Sequence, residues 1–432
     1  MTVPLLRTIT PDQIRLARKD SVDADTLAIA SRILADVRER GIDAVTDHAI
    51  RLGDVMSADE IIVPPSRARS ALDRLDPEDR RVLERAADRI RSFALAQRAS
   101  ITDLELPSPI GGTMGHRIAP VDRAGCYAPG GRYPLPSSVL MTVITARAAG
   151  VREVWVASPR PTDATLAAAA IAGADGIIAV GGAQAIAAFA CGTAPIPRCD
   201  AIVGPGNRFV TAAKQLVAGR VAIDMLAGPS ELLIIADETA DPAIIAADLL
   251  AQAEHDPDAI PMLITTDASL AARVDAELTL QLQTLPTAAI ARASLANGFA
   301  CVVNSIDDAI RAADNIAPEH LEIITSDPAA TADRCSSYGA IFIGSAAAEV
   351  FGDYGVGPNH TLPTGGTARA FAGLSVFTFL SARTFLRSDR RTADRNLTAP
   401  LTTPCIAEFA RFARLEGLEA HARAAERRIV NA

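Results

Sequence analysis

Aromatic side chains are scarce, at 4% of the 432 residues, while half the chain is apolar. Small aliphatic content of this kind suits tightly packed layers of helix on sheet rather than a large aromatic interface. The six cysteines (Cys126, Cys191, Cys199, Cys301, Cys335 and Cys405) include no Cys-x-x-Cys pair. That argues against both a disulfide framework and a thiolate zinc cluster. Cys126, beside a glycine-rich loop, reads more simply as a small residue in a tight turn than as a nucleophile. A basic surplus is missing as well. The net charge is -9, and runs such as PEDRRVLERAADRIR mix both signs like solvated helix faces. Neither nucleic acid nor an acidic membrane surface is an expected partner.

Long apolar runs are also rare. The first residues, MTVPLLRTITPDQIRLARKD, lack the continuous apolar core of a signal peptide. Residues 176–196 carry no charge and have the length of a membrane span, but they are largely Ala and Gly, are broken by Gly181-Gly182 and contain Gln184. A strand, a glycine turn and a small-residue helix account for them better. No membrane contact and a cytoplasmic location are expected.

Residues 22–97 read as helices, with Gly41 closing the first. From about Arg117 short apolar strands alternate with helices (EVWVAS, TLAAAAIAGA, GIIAV, AQAIAAFACG, DAIVG, NRFVTAAKQLVAG). The rhythm resumes beyond residue 230 with PMLITT, FACVV, SIDDAIRAAD, LEIIT and AIFIG. Such alternation is the signature of mostly parallel α/β sheets, here in two blocks meeting near residue 230. From Arg383 the pattern fades into a basic, Thr-rich connector, and a terminal helix begins near Ile406.

Chemistry concentrates in residues 223–256. A turn (Ala227-Gly228-Pro229-Ser230) leads into an apolar strand, and a helix follows that ends in Gln252-Ala253-Glu254-His255. Gln252 and His255 stand at i and i+3, so a helix puts them on one face. Glycine-rich turns recur at Gly125–Gly131, Gly181-Gly182, Gly204-Pro205-Gly206-Asn207 and Gly365-Gly366. Glycine lets backbone approach a ligand, and turns at the carboxyl ends of parallel strands are where such sheets bind one. Asn207 could equally be a helix cap.

Of six histidines, four have polar company: His255 with Gln252, His320 after Glu319, His360 seven residues after Asp353, and His421 five after Glu416. Imidazoles beside carboxylates are the inventory of a general base or of a zinc site. Each also has a plain structural reading. Pro318-Glu319 could open a helix, and Glu416 and His421 could lie on a solvated helix face. Spacing alone does not choose.

Together these segments resemble the histidinol dehydrogenase family over nearly the whole chain. The matching motifs are Ile223-Asp224, Ala227–Glu231 and Gln252–His255, joined by GCYAPGG, SSVLM, VGGAQAIAAF, VGPGN, NIAPEHLE, FGDYGVGPNHTLPTGGTAR, GLSV and EGLEAH. The resemblance implies zinc-bound, NAD-dependent oxidation of L-histidinol through L-histidinaldehyde to L-histidine. It implies zinc ligands at Gln252, His255, Asp353 and His421, and an acid/base pair of Glu319 and His320. Implied substrate contacts are Ser230, His360 and Glu416, joined by the zinc ligands and His320. Tyr127, Gln184 and Asn207 are the implied contacts of the nicotinamide cofactor.

The implied fold is α/β, an intertwined homodimer of subunits with two Rossmann-like doubly wound domains. One would take residues 22–126 and 231–380 with the N-terminal helices, the other residues 127–230. Residues 1–21 would form an N-terminal arm, and residues 381–432 a C-terminal arm completing the neighbouring subunit's site. An acid/base histidine titrating near neutrality is also expected. The loop Arg132-Tyr133-Pro134-Leu135-Pro136-Ser137-Ser138 departs from the family pattern at Leu135. The alternative in the same enzyme class is a related zinc and NAD dehydrogenase acting on another polyol or a sulfonated diol. A catalytically silent relative would have lost a base or a ligand, and none is missing.

Overall fold

Alternating short strands and helices close into two mostly parallel sheets, both carried by one unit made of residues 1–98 and 121–379. The structure, a computed structural model, describes residues 4–14, 22–108, 112–130, 134–387 and 403–428.

The first sheet has the order Ile62–Val63, Gly176–Ile178, Glu153–Ala157, Arg123–Tyr127, Ala201–Val203, Ala222–Ile223. All pairs are parallel except that of the Ile62–Val63 edge. Its central strand, Arg123–Tyr127, precedes the partners on both sides, so the winding reverses there, which is the doubly wound arrangement. Helices Pro136–Ala149, Asp163–Ala172 and Pro65–Arg74 form one covering layer; Ala24–Arg40, Gly182–Cys191 and Arg208–Val217 form the other.

The second sheet is parallel throughout, in the order Arg7–Ile9, Phe299–Val302, Ile260–Thr265, Glu231–Ala236, His320–Ile324, Ala340–Ile343. Every residue of Glu231–Ala236 is buried. Leu232, Ile234 and Ala236 enter the core on one face, Leu233 and Ile235 the core on the other. A strand covered on both faces needs apolar residues at every position, hence the run LLIIA without alternation.

Three expectations are corrected here. Helices Ala24–Arg40, Ile42–Arg51 and Pro65–Arg74 pack with the helices of the first sheet rather than accompanying residues 231–380, whereas Pro77–Ala99 meets Gly355, Arg89 donating to its carbonyl at 2.7 Å. Ile62–Val63 joins the first sheet as its edge. The strand Arg123–Tyr127 also belongs to it, although all but its last residue lies before the expected border at 126/127. The described part of the N-terminal arm is an edge strand of the chain's own second sheet, Arg7 opposite Phe299, with the Leu5 amide donating to Asp275 at 2.7 Å. Residues 1–3 and 15–21 lie outside the described residues.

The other unit comprises residues 99–120 and 380–432. It holds an antiparallel sheet, Leu380–Arg387, Thr113–Pro120 and Leu104–Pro107 in that order, which sequence reading missed. Part of the expected connector is thus a strand, and residues 388–402 lie outside the described residues. The expected single terminal helix is two, Thr403–Leu415 and Glu419–Glu426, parted at Gly417 with φ 75°. A glycine in the left-handed region is the usual stop signal just past a helix.

Candidate active site

The polar residues of the second sheet gather where its strands begin. Ser230 immediately precedes Glu231–Ala236, and Glu319 immediately precedes His320–Ile324, paired so that Leu232 lies opposite His320. Pro318-Glu319 is therefore the entry to a strand and not a helix first turn. The preceding helix, Ile306–Ile316, stops at Ala317, a non-glycine residue at φ 51°. Such a conformation is uncommon outside glycine and marks a tightly determined turn.

His320 is 4% exposed, and its Nδ1 lies 3.1 Å from the Glu231 carbonyl oxygen. A carbonyl only accepts, so Nδ1 carries the proton and Nε2 keeps its lone pair. Burial pushes the imidazole pKa down to about 4, outweighing the carboxylate of Asp353. This corrects the expectation of titration near neutrality. Glu319, 3.8 Å from His320 Nδ1, accepts from the Glu231 amide at 2.9 Å and from the Ser230 hydroxyl. Burial, reinforced by the charges of Glu231 and Asp353, still holds its carboxyl well above the usual range. Glu231 itself accepts from the Gly365 amide at 3.1 Å and is raised by burial to about 7.

Gln252 lies in the last turn of helix Pro242–Ala253, fully buried, with neither amide oxygen nor amide nitrogen hydrogen-bonded. An unpaired buried polar group costs roughly 1–3 kcal/mol, so a side chain with two such atoms calls for a partner. His255 follows the helix, its Nε2 3.4 Å from Asp353 Oδ2. The hydrogen bond to Asp353 raises the His255 pKa against the effect of burial. Burial would raise the Asp353 carboxyl, but that hydrogen bond and the nearby imidazoles leave it below the usual range.

Glu349 joins this group, since ligand atoms of His255, Glu349 and Asp353 all lie within 4.8 Å of one another. Its Oε1 is also 3.6 Å from His320 Nδ1, and burial followed by the neighbouring carboxylates raises its pKa well above normal. Sequence reading missed Glu349, although its i to i+4 spacing from Asp353 was a signal. An amide oxygen, an imidazole and a carboxylate form a donor set that suits zinc. The orphaned Gln252 amide oxygen is the feature of the fold that such an ion would satisfy.

His360 donates from Nδ1 to the Asp353 carbonyl at 3.0 Å and meets the Ser138 hydroxyl through Nε2 at 3.3 Å. Ser138 belongs to the first turn of Pro136–Ala149, a helix of the first sheet, so this contact links the two sheets. A cavity of about 480 Å³ opens beside His255 and is walled by Leu135, Leu140, Met141, Thr287 and Tyr354. The departure at Leu135 therefore falls on a cavity wall. Residues 131–133 of that loop lie outside the described residues.

The implied cofactor residues sit at the other ends of strands. Tyr127 ends its strand, Gln184 lies in the first turn of Gly182–Cys191, and Asn207 caps Arg208–Val217. Asn207 Oδ1 accepts from the Phe209 and Val210 amides at 3.0 and 3.2 Å, which leaves its amide nitrogen to meet a ligand. Tyr127 Oη accepts from the Gly182 amide at 3.2 Å, and Asp54 holds the Gly181 amide at 2.9 Å and the Gln184 amide at 3.4 Å. The glycines here serve the chain's own packing. A Cβ on Gly130 would lie 2.1 Å from the Pro159 carbonyl, and one on Gly204 would lie 2.0 Å from the Tyr127 carbonyl. Glu416 and His421 are carried by the other unit, both exposed there.

Comparison with known proteins matches the sequence profile of histidinol dehydrogenase to residues 16–429. Among curated relatives, the histidinol dehydrogenase of Thermus thermophilus is 44% identical over 96% of this chain and 97% of its own. That of Ralstonia nicotianae is 42% identical over 96% and 94%. A solved histidinol dehydrogenase from Elizabethkingia anophelis superposes with a TM-score of 0.90 at 30% identity, covering 99% of each chain.

Proposed function

As this chain belongs to the histidinol dehydrogenase family, we propose that it oxidises L-histidinol through L-histidinaldehyde to L-histidine, with two successive hydride transfers to NAD. The observation that carries this reading is a base with a free Nε2 (His320) and a second carboxyl beside it (Glu319), joined through Glu349 to the ligand atoms of His255 and Asp353, while the buried Gln252 amide three residues before His255 lacks a partner.

Gln252, His255 and Asp353 would hold zinc, joined by His421. When bound, the ion supplies a template that orients an amino alcohol and its imidazole. Tyr127, Gln184 and Asn207 would hold NAD, the hydride acceptor of both halves. His320 Nε2 takes the alcohol proton in the first half, its ring fixed by the Glu231 carbonyl. Glu319 then takes a proton from water as it adds to the aldehyde, and His320 again acts as base while the hydrate is oxidised. Ser230, through its hydroxyl on Glu319, and His360, braced by Ser138 and the Asp353 carbonyl, shape the substrate side with Glu416. Burial of His320 and Glu319 shields the bound aldehyde from bulk solvent, apart from the water that Glu319 activates.

The reading includes a cytoplasmic homodimer in which residues 381–432 lend Glu416 and His421 to the neighbouring subunit. No helix among the described residues is long and apolar enough to cross a membrane. The stoichiometry of NAD reduction tests the reaction: about two NADH form per L-histidinol if both halves proceed. Turnover of another polyol but not of L-histidinol would refute it. For the shared site, a His320→Asn protein and a chain truncated after Arg395 should each be inactive. Unfolded and refolded together, they should regain activity through mixed dimers, whereas an active truncated monomer would rule sharing out.

A further inference from the structure

Lys214 and Asp224 form an ion pair with side chains only 3% and 0% exposed. Neither has a part in the proposed chemistry. Apart from each other, their partners are main-chain groups: both polar groups of Gly204 and the Met225 amide. Asp224 Oδ2 accepts from the Gly204 amide at 2.7 Å, and Lys214 Nζ donates to the Gly204 carbonyl at 3.1 Å. Asp224 Oδ1 takes the Lys214 ammonium and, at 2.8 Å, the Met225 amide. Both polar groups of Gly204 are thus gripped by one buried pair.

Gly204 follows the strand Ala201–Val203 and begins the turn to Asn207. Asn207 caps the helix Arg208–Val217, which carries Lys214 back to Gly204. The turn, the cap and the helix therefore form a closed ring fastened by the ion pair. Gly204 also sits at φ 114°, packed so closely on the Tyr127 main chain that a Cβ would lie 2.0 Å from its carbonyl oxygen. What holds Gly204 consequently fixes Tyr127 and Asn207 relative to each other.

A buried ion pair is a weak device for stability, because desolvation consumes most of the attraction and apolar replacements of similar size are often neutral. Its use lies in holding one geometry. We propose that Lys214 and Asp224 are positioning residues for the dinucleotide, acting through the Gly204–Asn207 turn without touching the ligand. This inference rests on the reading of Tyr127 and Asn207 as cofactor contacts.

The test is NADH titration by fluorescence on the purified full chain with zinc, alongside steady-state kinetics, zinc content and melting temperature. Lys214→Met should weaken NADH binding about tenfold or more and raise KM for NAD in step, about 1.4 kcal/mol per decade. Its kcat at saturating NAD, KM for L-histidinol and zinc content should stay within about threefold of the parent. Lys214→Arg, which keeps the charge, should recover part of the affinity. A folded Lys214→Met protein that binds NADH within about twofold of the parent would overturn the proposal. If Lys214→Met does not fold, Lys214→Arg and Asp224→Asn are read in its place. A loss of about threefold or more in NADH affinity supports the proposal, and parental affinity in both overturns it. A parent protein that binds zinc but no NADH would instead remove the cofactor reading, and this inference with it.

Discussion

In the sheet centred on Arg123–Tyr127 the proposed ligand contact Tyr127 ends its strand and Gln184 and Asn207 follow theirs; in the sheet centred on Glu231–Ala236, Ser230 and Glu319 precede their strands and His320 begins one. The two sheets share mostly parallel pairing and a central strand that precedes both its neighbours in the chain, yet opposite ends are equipped for binding. Helix polarity gives the difference a physical meaning. Beyond the carboxyl end of a parallel strand the chain enters a helix at its N-terminus, where free amides and the dipole favour an anion such as a pyrophosphate. Before the amino end of the next strand it leaves a helix at its C-terminus, where carbonyls favour a cation. Gln252 and His255 stand at such a C-terminus, and Asn207 and Gln184 at such N-termini. One unit can therefore offer one end of a sheet to a dinucleotide and one to a metal ion.

The hardest blow to this contrast would come from His320. Replacing it with Asn should lower the turnover of both half-reactions by about 10²–10⁴, the usual share of a general base, with NADH affinity unchanged. A variant with near-parental turnover would strip the amino-end cluster of its proposed chemistry.

Asn207 probes the other end. Asn207→Asp keeps a capping oxygen but places a negative charge where an anion is proposed to bind. KM for NAD should rise about tenfold, at little change in melting temperature. Asn207→Ala should lose the cap as well, at about 0.5–2 kcal/mol of stability by denaturant unfolding. Equal NAD affinity in Asn207→Asp and the parent would leave Asn207 a cap and nothing more.

The two amino-end roles, those of His320 and Glu319, can also be separated by pH. His320 must be neutral to accept a proton, and its pKa is about 4, so alcohol oxidation should lose rate to His320 protonation only as pH falls toward that value. Glu319 must be ionised to draw a proton from water, and its pKa is raised well above normal by burial. Aldehyde oxidation should therefore lose rate at a higher pH than alcohol oxidation as the medium is acidified. Profiles measured separately with L-histidinol and L-histidinaldehyde check this, and coincident acid limbs would contradict it.

The smallest expected effect concerns Gln252. In metal-free protein, Gln252→Leu removes two unpaired buried atoms and should leave stability unchanged or raise it by about 1–2 kcal/mol in urea unfolding. Zinc content by mass spectrometry should fall at the same time. A strongly destabilised variant with full zinc would mean that the amide serves packing.

Much of the larger unit was legible in the sequence, because strands buried on both faces leave unbroken aliphatic runs such as LLIIA and small-residue helices leave Ala-rich ones. The helix carrying Gln252 was legible too, although it ends at Ala253 and leaves His255 just beyond it. Less was readable where register or partner matters. Ile62–Val63 is too short to carry a pattern, and its place on the first sheet depends on the covering helices. Leu380–Arg387 is mostly exposed and mixed in polarity, so no alternation marks it as a strand. Glu349, Glu231 and Asp54 stayed silent because a carboxylate in sequence looks the same whether solvated or buried beside an imidazole.

By itself the sequence determined the family, the alternation of strands and helices, and the residue types able to do the chemistry, since these depend on local pattern and motif. Tertiary structure alone decided that His320 carries its proton on Nδ1, that its pKa lies near 4 rather than near neutrality, and that helices Ala24–Arg40, Ile42–Arg51 and Pro65–Arg74 cover the first sheet. Those outcomes depend on which carbonyl, carboxylate or helix face is brought near from far along the chain. Solvent exclusion and contact distance set them, and neither is written in the order of residues.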